Sequence, residues 1–174
     1  MMNLIVTCAR HLEGDTEDEL IDILDRLGDS DVKISVSSMS GIITIETKLD
    51  PIEVVRKIKE MVLDEPWSIR YCLRIIPIQK AVKTNIEEIE KAISSMTDQI
   101  GKKESYRILI EKRNSDISSK EIITKIANEI KNEVSLDFPD KVILIEILGI
   151  VTGISILKKS DILSLEKTKR SMSD

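Results

Sequence analysis

The residues of this chain best suited to chemistry are basic and polar groups at the ends of apolar runs. Lys112-Arg113-Asn114 closes one run, Ser118, Ser119 and Lys120 open the segment after it, and Lys158-Lys159 closes the last run. A guanidinium such as that of Arg113 can fork two hydrogen bonds to one phosphate. A serine-rich helix start presents unbonded N–H groups and the positive end of the helix dipole. Lys80 and Lys83, on the connector Gln79–Lys83 between two sets of elements, could extend such a patch. Together these groups suit gripping a phosphate chain, provided that the strands pair so that their tips converge on one edge. The same spacing also fits three unrelated solvated clusters, since lysine is common at the ends of elements.

Catalysis finds few candidates. His11 is the sole histidine, so any Ser-His-Asp or Cys-His arrangement would have to use it. It follows the first apolar run, where strand alternation separates it from Cys8 and Arg10. It therefore reads as a surface loop residue. Cys8 and Cys72 lie far apart in two apolar runs and read as small core residues. One histidine and two separated cysteines cannot complete a zinc tetrahedron. The cluster Asp15, Glu17, Asp18 and Glu19 lacks the loop glycine of a calcium site. The six glycines form neither G-x-G-x-x-G nor G-K-[ST]. A small phosphatase of the acylphosphatase kind would need a glycine-rich phosphate loop after the first strand. Ala9-Arg10-His11-Leu12-Glu13-Gly14 supplies the arginine but not the loop. No catalytic residue, metal or cofactor is expected.

Composition narrows the class further. The 174 residues are 41% hydrophobic and 33% charged, as in a soluble globular chain of one ordinary or two small domains. Aromatics are only 2%, which disfavours a base-stacking platform for single strands. The net charge of −5 is unevenly distributed: residues 1–69 carry −8 and residues 70–174 carry +3. No signal peptide opens the sequence, and Val142–Leu157 is too short and too β-branched for a bilayer span. A reducing cytoplasmic setting without a membrane is expected.

The elements that would position these groups fall into two sets. Asn3–Cys8 reads as a strand, and Thr16-Glu17-Asp18-Glu19 as a capping box opening a helix that Gly28 stops. Val32–Val36 and Ile42–Glu46 alternate as two strands. Asp50-Pro51-Ile52-Glu53 starts a second helix, which Pro66 ends, and Tyr71–Ile78 reads as a strand. The order βαββαβ is the ferredoxin-like split motif. The second set is αβαββ. Its first helix opens at Thr84-Asn85-Ile86-Glu87, and the strand Tyr106–Lys112 follows. Next come a helix capped at Ser118 and the strands Val142–Leu148 and Thr152–Leu157. The last two are nearly continuous apolar runs, which suits central strands. The reading is therefore α/β (α+β): a ferredoxin-like domain over 1–78, a second domain over 79–162 and a polar, partly helical tail over 163–174.

Glu104–Lys159 resembles the THUMP domain, a module of tRNA-modifying enzymes. The landmarks, in order, are the strand ending Lys112-Arg113-Asn114, the helix start Ser118-Ser119-Lys120-Glu121, Val134-Ser135-Leu136 before Pro139-Asp140, the strand Val142–Glu146, and the last strand ending at Lys158. Arg74-Ile75-Ile76-Pro77-Ile78 resembles the entry to THUMP in the stand-alone THUMP protein that assists the RNA cytidine acetyltransferase in making 4-acetylcytidine. The resemblance implies a tRNA partner held at the acceptor stem and 3′ end, with Lys112, Arg113, Ser119, Lys120 and Lys158 at the matching positions. It implies an adaptor whose chemistry is supplied in trans, because the sequence ends soon after its last strand. The glycine-rich loop of some THUMP enzymes is replaced by the more apolar Gly149-Ile150-Val151-Thr152-Gly153. Two alternatives remain: an adaptor for tRNA thiolation or methylation, and a protein-interaction module without RNA affinity, which the acidic first half favours.

Overall fold

The structure, a computed structural model, describes residues 1–172. In chain order it contains β1 (Leu4–Cys8), α1 (Glu13–Arg26), β2 (Lys33–Val36), β3 (Ile42–Glu46), α2 (Pro51–Asp64) and β4 (Cys72–Pro77). Then follow β5 (Lys80–Lys83), α3 (Ile86–Ser94), β6 (Tyr106–Arg113), α4 (Ser119–Glu129), β7 (Lys141–Leu148) and β8 (Val151–Leu157), and finally β9 (Leu163–Ser164) and α5 (Leu165–Ser171). Contacts divide the chain into two units: Met1–Ile78 with Ser160–Asp174, and Gln79–Lys159.

The first unit is an antiparallel sheet of order β2-β3-β1-β4-β9. Its first four strands have the order of the ferredoxin-like motif. Alternation along β1 turns Leu4, Val6 and Cys8 to one face, where Leu20 and Leu24 of α1 and Val55, Ile58 and Val62 of α2 cover them. The start of α2 follows its sequence signals, since the Asp50 carboxylate accepts from the Glu53 N–H at 3.0 Å and Pro51 occupies the first turn.

The start of α1 does not follow its signals. The helix begins at Glu13, three residues before the predicted capping box, and Thr16 lies buried inside it. The Thr16 hydroxyl donates to the Leu12 carbonyl at 2.7 Å, so it is spent on its own helix. The Glu19 carboxylate leaves the helix start altogether and accepts from the backbone N–H groups of Arg70, Tyr71 and Cys72 at the entry to β4.

Gly41 makes the turn into β3 possible. It has φ +75°, and a Cβ there would lie 2.6 Å from the Cys8 carbonyl oxygen. The clash would be with backbone, which cannot swing aside as a flexible side chain would. Gly41→Ala is expected to destabilise this unit by about 1–3 kcal/mol, read as a lowered denaturant midpoint at unchanged m-value.

Two short strands depart from the sequence reading. The tail over 163–174, expected to be polar and partly helical, forms β9 as well as α5, with Ser173 and Asp174 outside the described residues. Leu163 pairs with Ile75 and is buried with Leu165 in the first core. Ser164 caps α5 by accepting from the Lys167 N–H. Residues 79–83, expected as a connector, contain β5, which pairs with β8 through Lys80↔Ile154 to Lys83↔Val151. The second unit is therefore βαβαββ rather than αβαββ, with sheet order β5-β8-β7-β6. The strands β6 and β7 run parallel, and α4 makes the crossover between them. The central strand β7 is buried from Val142 to Leu148. Ile89, Ile93, Ile122 and Ile126 from α3 and α4 pack on Ile143, Ile145, Ile154 and Ile156.

Candidate nucleic-acid interface

Strand direction decides where the basic tips go. β6 ends at Arg113 opposite Leu148, the last residue of β7. β8 starts there, at Val151, and β5 ends there, at Lys83. Three strand ends and one strand start thus meet at a single end of the sheet. Two backbone bonds tie them together: Thr84 N–H donates to the Ile150 carbonyl at 2.9 Å, and Gly149 N–H donates to the Arg113 carbonyl at 2.8 Å. Gly149, at φ +61°, opens the two-residue hairpin between β7 and β8, the position where such a turn needs glycine. Asn114, at φ +53°, turns the chain out of β6; asparagine is among the few residues that tolerate this conformation.

Both helices of the unit begin at the same end. Asn85 follows β5 directly, and its side-chain oxygen accepts from Glu87 N–H at 2.9 Å and Glu88 N–H at 3.1 Å. The predicted cap, Thr84, instead shares a 2.8 Å hydroxyl–hydroxyl bond with Thr152. Ser118 caps α4 as its sequence suggests, accepting from the Glu121 N–H at 3.2 Å. The first-turn amides of Ser119 and Lys120 have no acceptor within the helix. Lys112 braces the loop between β6 and α4, its Nζ donating to the Ile117 carbonyl at 2.9 Å. The two helix starts flank a groove of about 500 Å³ lined in part by Thr84, Asn85, Ser115, Asp116 and Lys125. An adjoining groove of about 450 Å³ is lined by Lys83, Asn114, Gly149 and Ile150. Ile150 is 85% exposed at the hairpin tip.

Of the sequence-selected residues, Lys83, Lys112, Arg113, Asn114, Ser118, Ser119 and Lys120 therefore share one end of the sheet. Lys80, Lys158 and Lys159 do not. Lys158 and Lys159 follow Leu157, which pairs with Val142 at the start of β7. Six residues of extended strand separate that position from Leu148, roughly 20 Å. Lys80 faces the same far end, its Nζ donating to Ser95 Oγ beyond the last turn of α3. The expectation that three basic termini gather into one cradle is thus corrected to two termini joined by the end of β5. Thr84, Asn85, Ser115 and Ile150 line the grooves but were not selected from sequence. Thr84 and Asn85 carried a signal, but only as part of the helix-start tetrapeptide Thr84-Asn85-Ile86-Glu87.

The electrostatics of this end are mixed. Lys83 and Lys120 are exposed and Arg113 half-exposed, while Glu87, Asp116 and Glu121 lie among them. Lys125 forms an ion pair with Glu90 at 3.7 Å. A mixed field of this kind can hold a few phosphates but not a long duplex tract.

The fold and the cationic strand end define a ferredoxin-like unit joined to a small α/β unit with a polar, groove-bearing edge. Residues 83–157 match the family model described as the THUMP domain. Solved structures share the fold across nearly the whole chain. The PH1313 structure from Pyrococcus horikoshii Ot3 is 20% identical at TM-score 0.63, covering 91% of this chain and 55% of that one. TrmN from Thermus thermophilus is 14% identical at TM-score 0.60, with coverages of 90% and 45%. A 4-thiouridine synthetase–RNA complex with bound ATP is 15% identical at TM-score 0.55, with coverages of 91% and 42%. The chain spans about half the length of these proteins. No curated protein matches it.

The groups considered for catalysis have plain structural surroundings. His11 is exposed in the loop after β1. Cys8 and Cys72 are buried free thiols paired across β1 and β4, and burial pushes the Cys72 thiol far above its ordinary range. Among the described residues no group of three or more His, Cys, Asp or Glu is placed to hold a metal ion. No helix among them is long and apolar enough to cross a membrane.

Proposed function

We propose that this chain is a non-catalytic tRNA-binding adaptor. It presents the acceptor stem and 3′ end of tRNA to a modifying enzyme, and the RNA cytidine acetyltransferase that forms 4-acetylcytidine is the reading the sequence favours. The observation that carries the proposal is the convergence of Lys83, Arg113, Asn114 and the α4 start at one end of a THUMP domain. Arg113 offers a fork for one phosphate, the amides of Ser119 and Lys120 offer a second seat, and Lys83 a third. The fold shared with a 4-thiouridine synthetase solved on RNA supports an RNA ligand. A buried, high-pKa Cys72 and an exposed His11 make poor reacting groups, which supports chemistry in trans.

About three phosphate contacts imply weak binding alone, with a salt slope of roughly −2 to −3. Tight engagement would then arise from a second protein on the same RNA. A reconstituted reaction of tRNA, the acetyltransferase and acetyl donor tests this. Adding the chain is expected to raise 4-acetylcytidine formation several-fold on intact tRNA, and less on tRNA trimmed at its 3′ end. Stimulation of a thiolating or methylating enzyme instead would move the adaptor to those reactions, a reading that the fold of TrmN and of the 4-thiouridine synthetase supports. Absence of any tRNA binding would leave a protein-interaction module.

A further inference from the structure

We propose that the open edge of β6 pairs antiparallel with the same edge of a second copy of this chain. β6 is the last strand of its sheet. Its first residue is covered: Tyr106 N–H donates to the Glu133 carbonyl and the Tyr106 carbonyl accepts from Ser135 N–H, both at 3.0 Å. Backbone groups alternate sides along a strand, so Ile108, Ile110 and Lys112 turn their N–H and C=O groups to that same outer side. Among the described residues no strand pairs with them there. Ile108, Leu109 and Ile110 are half-exposed, whereas every residue of β7 from Val142 onward is buried. An eight-residue edge strand with an apolar centre is a template for pairing.

The side chains select a second copy and one register. A two-fold antiparallel ladder must set outward-bonding residues opposite one another, which every residue-centred register does, and the two that use the middle of β6 are centred at Leu109 and at Ile110. Centred at Ile110, Arg107 would face Arg113 of the other copy, a repulsive pair. Centred at Leu109, Arg107 faces Glu111 twice, Ile108 faces Ile110 twice, and Leu109 meets itself. The Arg107–Glu111 pairs fall at non-hydrogen-bonded positions, where side chains approach most closely. The Val134 bridge to Tyr106 ends the ladder at Arg107 and limits it to Arg107–Glu111. Arg107 is already oriented, one terminal nitrogen donating to the Leu136 carbonyl at 3.1 Å and its other N–H groups remaining for a carboxylate. This isologous contact does not depend on the RNA reading.

The test is the mass of the full chain by sedimentation equilibrium across a concentration series without RNA. The wild type is expected to dimerise. Arg107→Glu and Glu111→Arg are each expected to weaken the dimer roughly tenfold or more, since each turns two attractive pairs into repulsive ones. An equimolar mixture of the two single variants is expected to recover dimer, because every cross-strand pair is then again opposite in sign. The Arg107→Glu/Glu111→Arg double variant is expected to dimerise by itself. The mixture also controls for loss of the Leu136 bond, and circular dichroism confirms folding. A wild type that stays monomeric overturns the proposal and leaves the edge to a strand from another protein. A dimer indifferent to both charge reversals, or single variants that fail to complement each other, overturns it equally.

Discussion

Asp29→Ala is expected to lower the stability of the first unit by about 3 kcal/mol, the loss of a charged acceptor that serves the buried Thr47 hydroxyl and two part-buried backbone amides. Asp29 follows the glycine that ends the turn after α1 and is 1% exposed. Its Oδ2 accepts from the Thr47 hydroxyl at 2.5 Å and from the Lys48 N–H at 3.0 Å, and its Oδ1 accepts from the Asp31 N–H at 3.0 Å. One carboxylate thus ties the loop before β2 to the chain leaving β3. Alanine would remove the acceptor and leave the donors in place. Asp29→Asn keeps one acceptor oxygen and is expected to recover part of the loss.

The pH dependence of this contribution has a definite sign. The Thr47 hydroxyl first, and the Lys48 and Asp31 amides after it, hold the Asp29 carboxyl below the ordinary aspartate range against the opposing effect of burial. The folded state therefore binds this proton less readily than the unfolded state. The stabilisation is fully present above the ordinary aspartate pKa of about 4 and is lost as pH falls through the lower folded value. Thermal unfolding followed from pH 7 to pH 2 is expected to show the gap between wild type and Asp29→Asn narrowing in the acid range. A gap that stays constant or widens there would assign the stabilisation to packing rather than to the carboxylate.

Asp29 also illustrates what the sequence leaves hidden. Nothing around Gly28-Asp29-Ser30-Asp31 sets it apart from an ordinary acidic turn, because its partners Thr47 and Lys48 lie in another loop. Thr16 and Glu19 show the converse. Their spacing is that of a capping box, but each oxygen has a competing donor or acceptor, and in both cases the competing bond forms. Local signals held where no competitor intervened: Asp50 and Ser118 cap the helices they precede. The βαββαβ order was legible because each element carries its own period and each turn its own breaker. β5 and β9 were not, because Lys-Ala-Val-Lys and Leu-Ser are too short to establish a period. They become strands only through edges formed elsewhere in the chain. The candidate site was legible as residue types and illegible as geometry. That β6 runs parallel to β7, and β8 against both, is what sends Lys158 and Lys159 away from Arg113. No local pattern reports strand direction.

That separation makes the RNA reading testable end against end. The double variant Lys83→Glu/Arg113→Glu is expected to weaken tRNA binding roughly hundredfold at low salt, as two charge-assisted contacts become repulsions. It is also expected to flatten the salt slope by about two contacts, roughly 1.8. The matched double variant Lys158→Glu/Lys159→Glu makes the same change in net charge at the far end of the sheet, and is expected to stay within about threefold of wild type, the residue of a long-range field that salt screens. The comparison separates a docking site from a general cationic attraction, because net charge is identical in the two variants and only position differs. Lys83 is exposed and Arg113 half-exposed, so the reversals leave the isoleucine core under α3 and α4 intact. Fluorescence anisotropy with labelled tRNA across a salt series reads both quantities. Equal weakening by the two variants would mean that the RNA senses charge and not the strand end. A larger loss from Lys158→Glu/Lys159→Glu would move the interface to the other end of the same sheet, where Lys80 and Lys141 also lie.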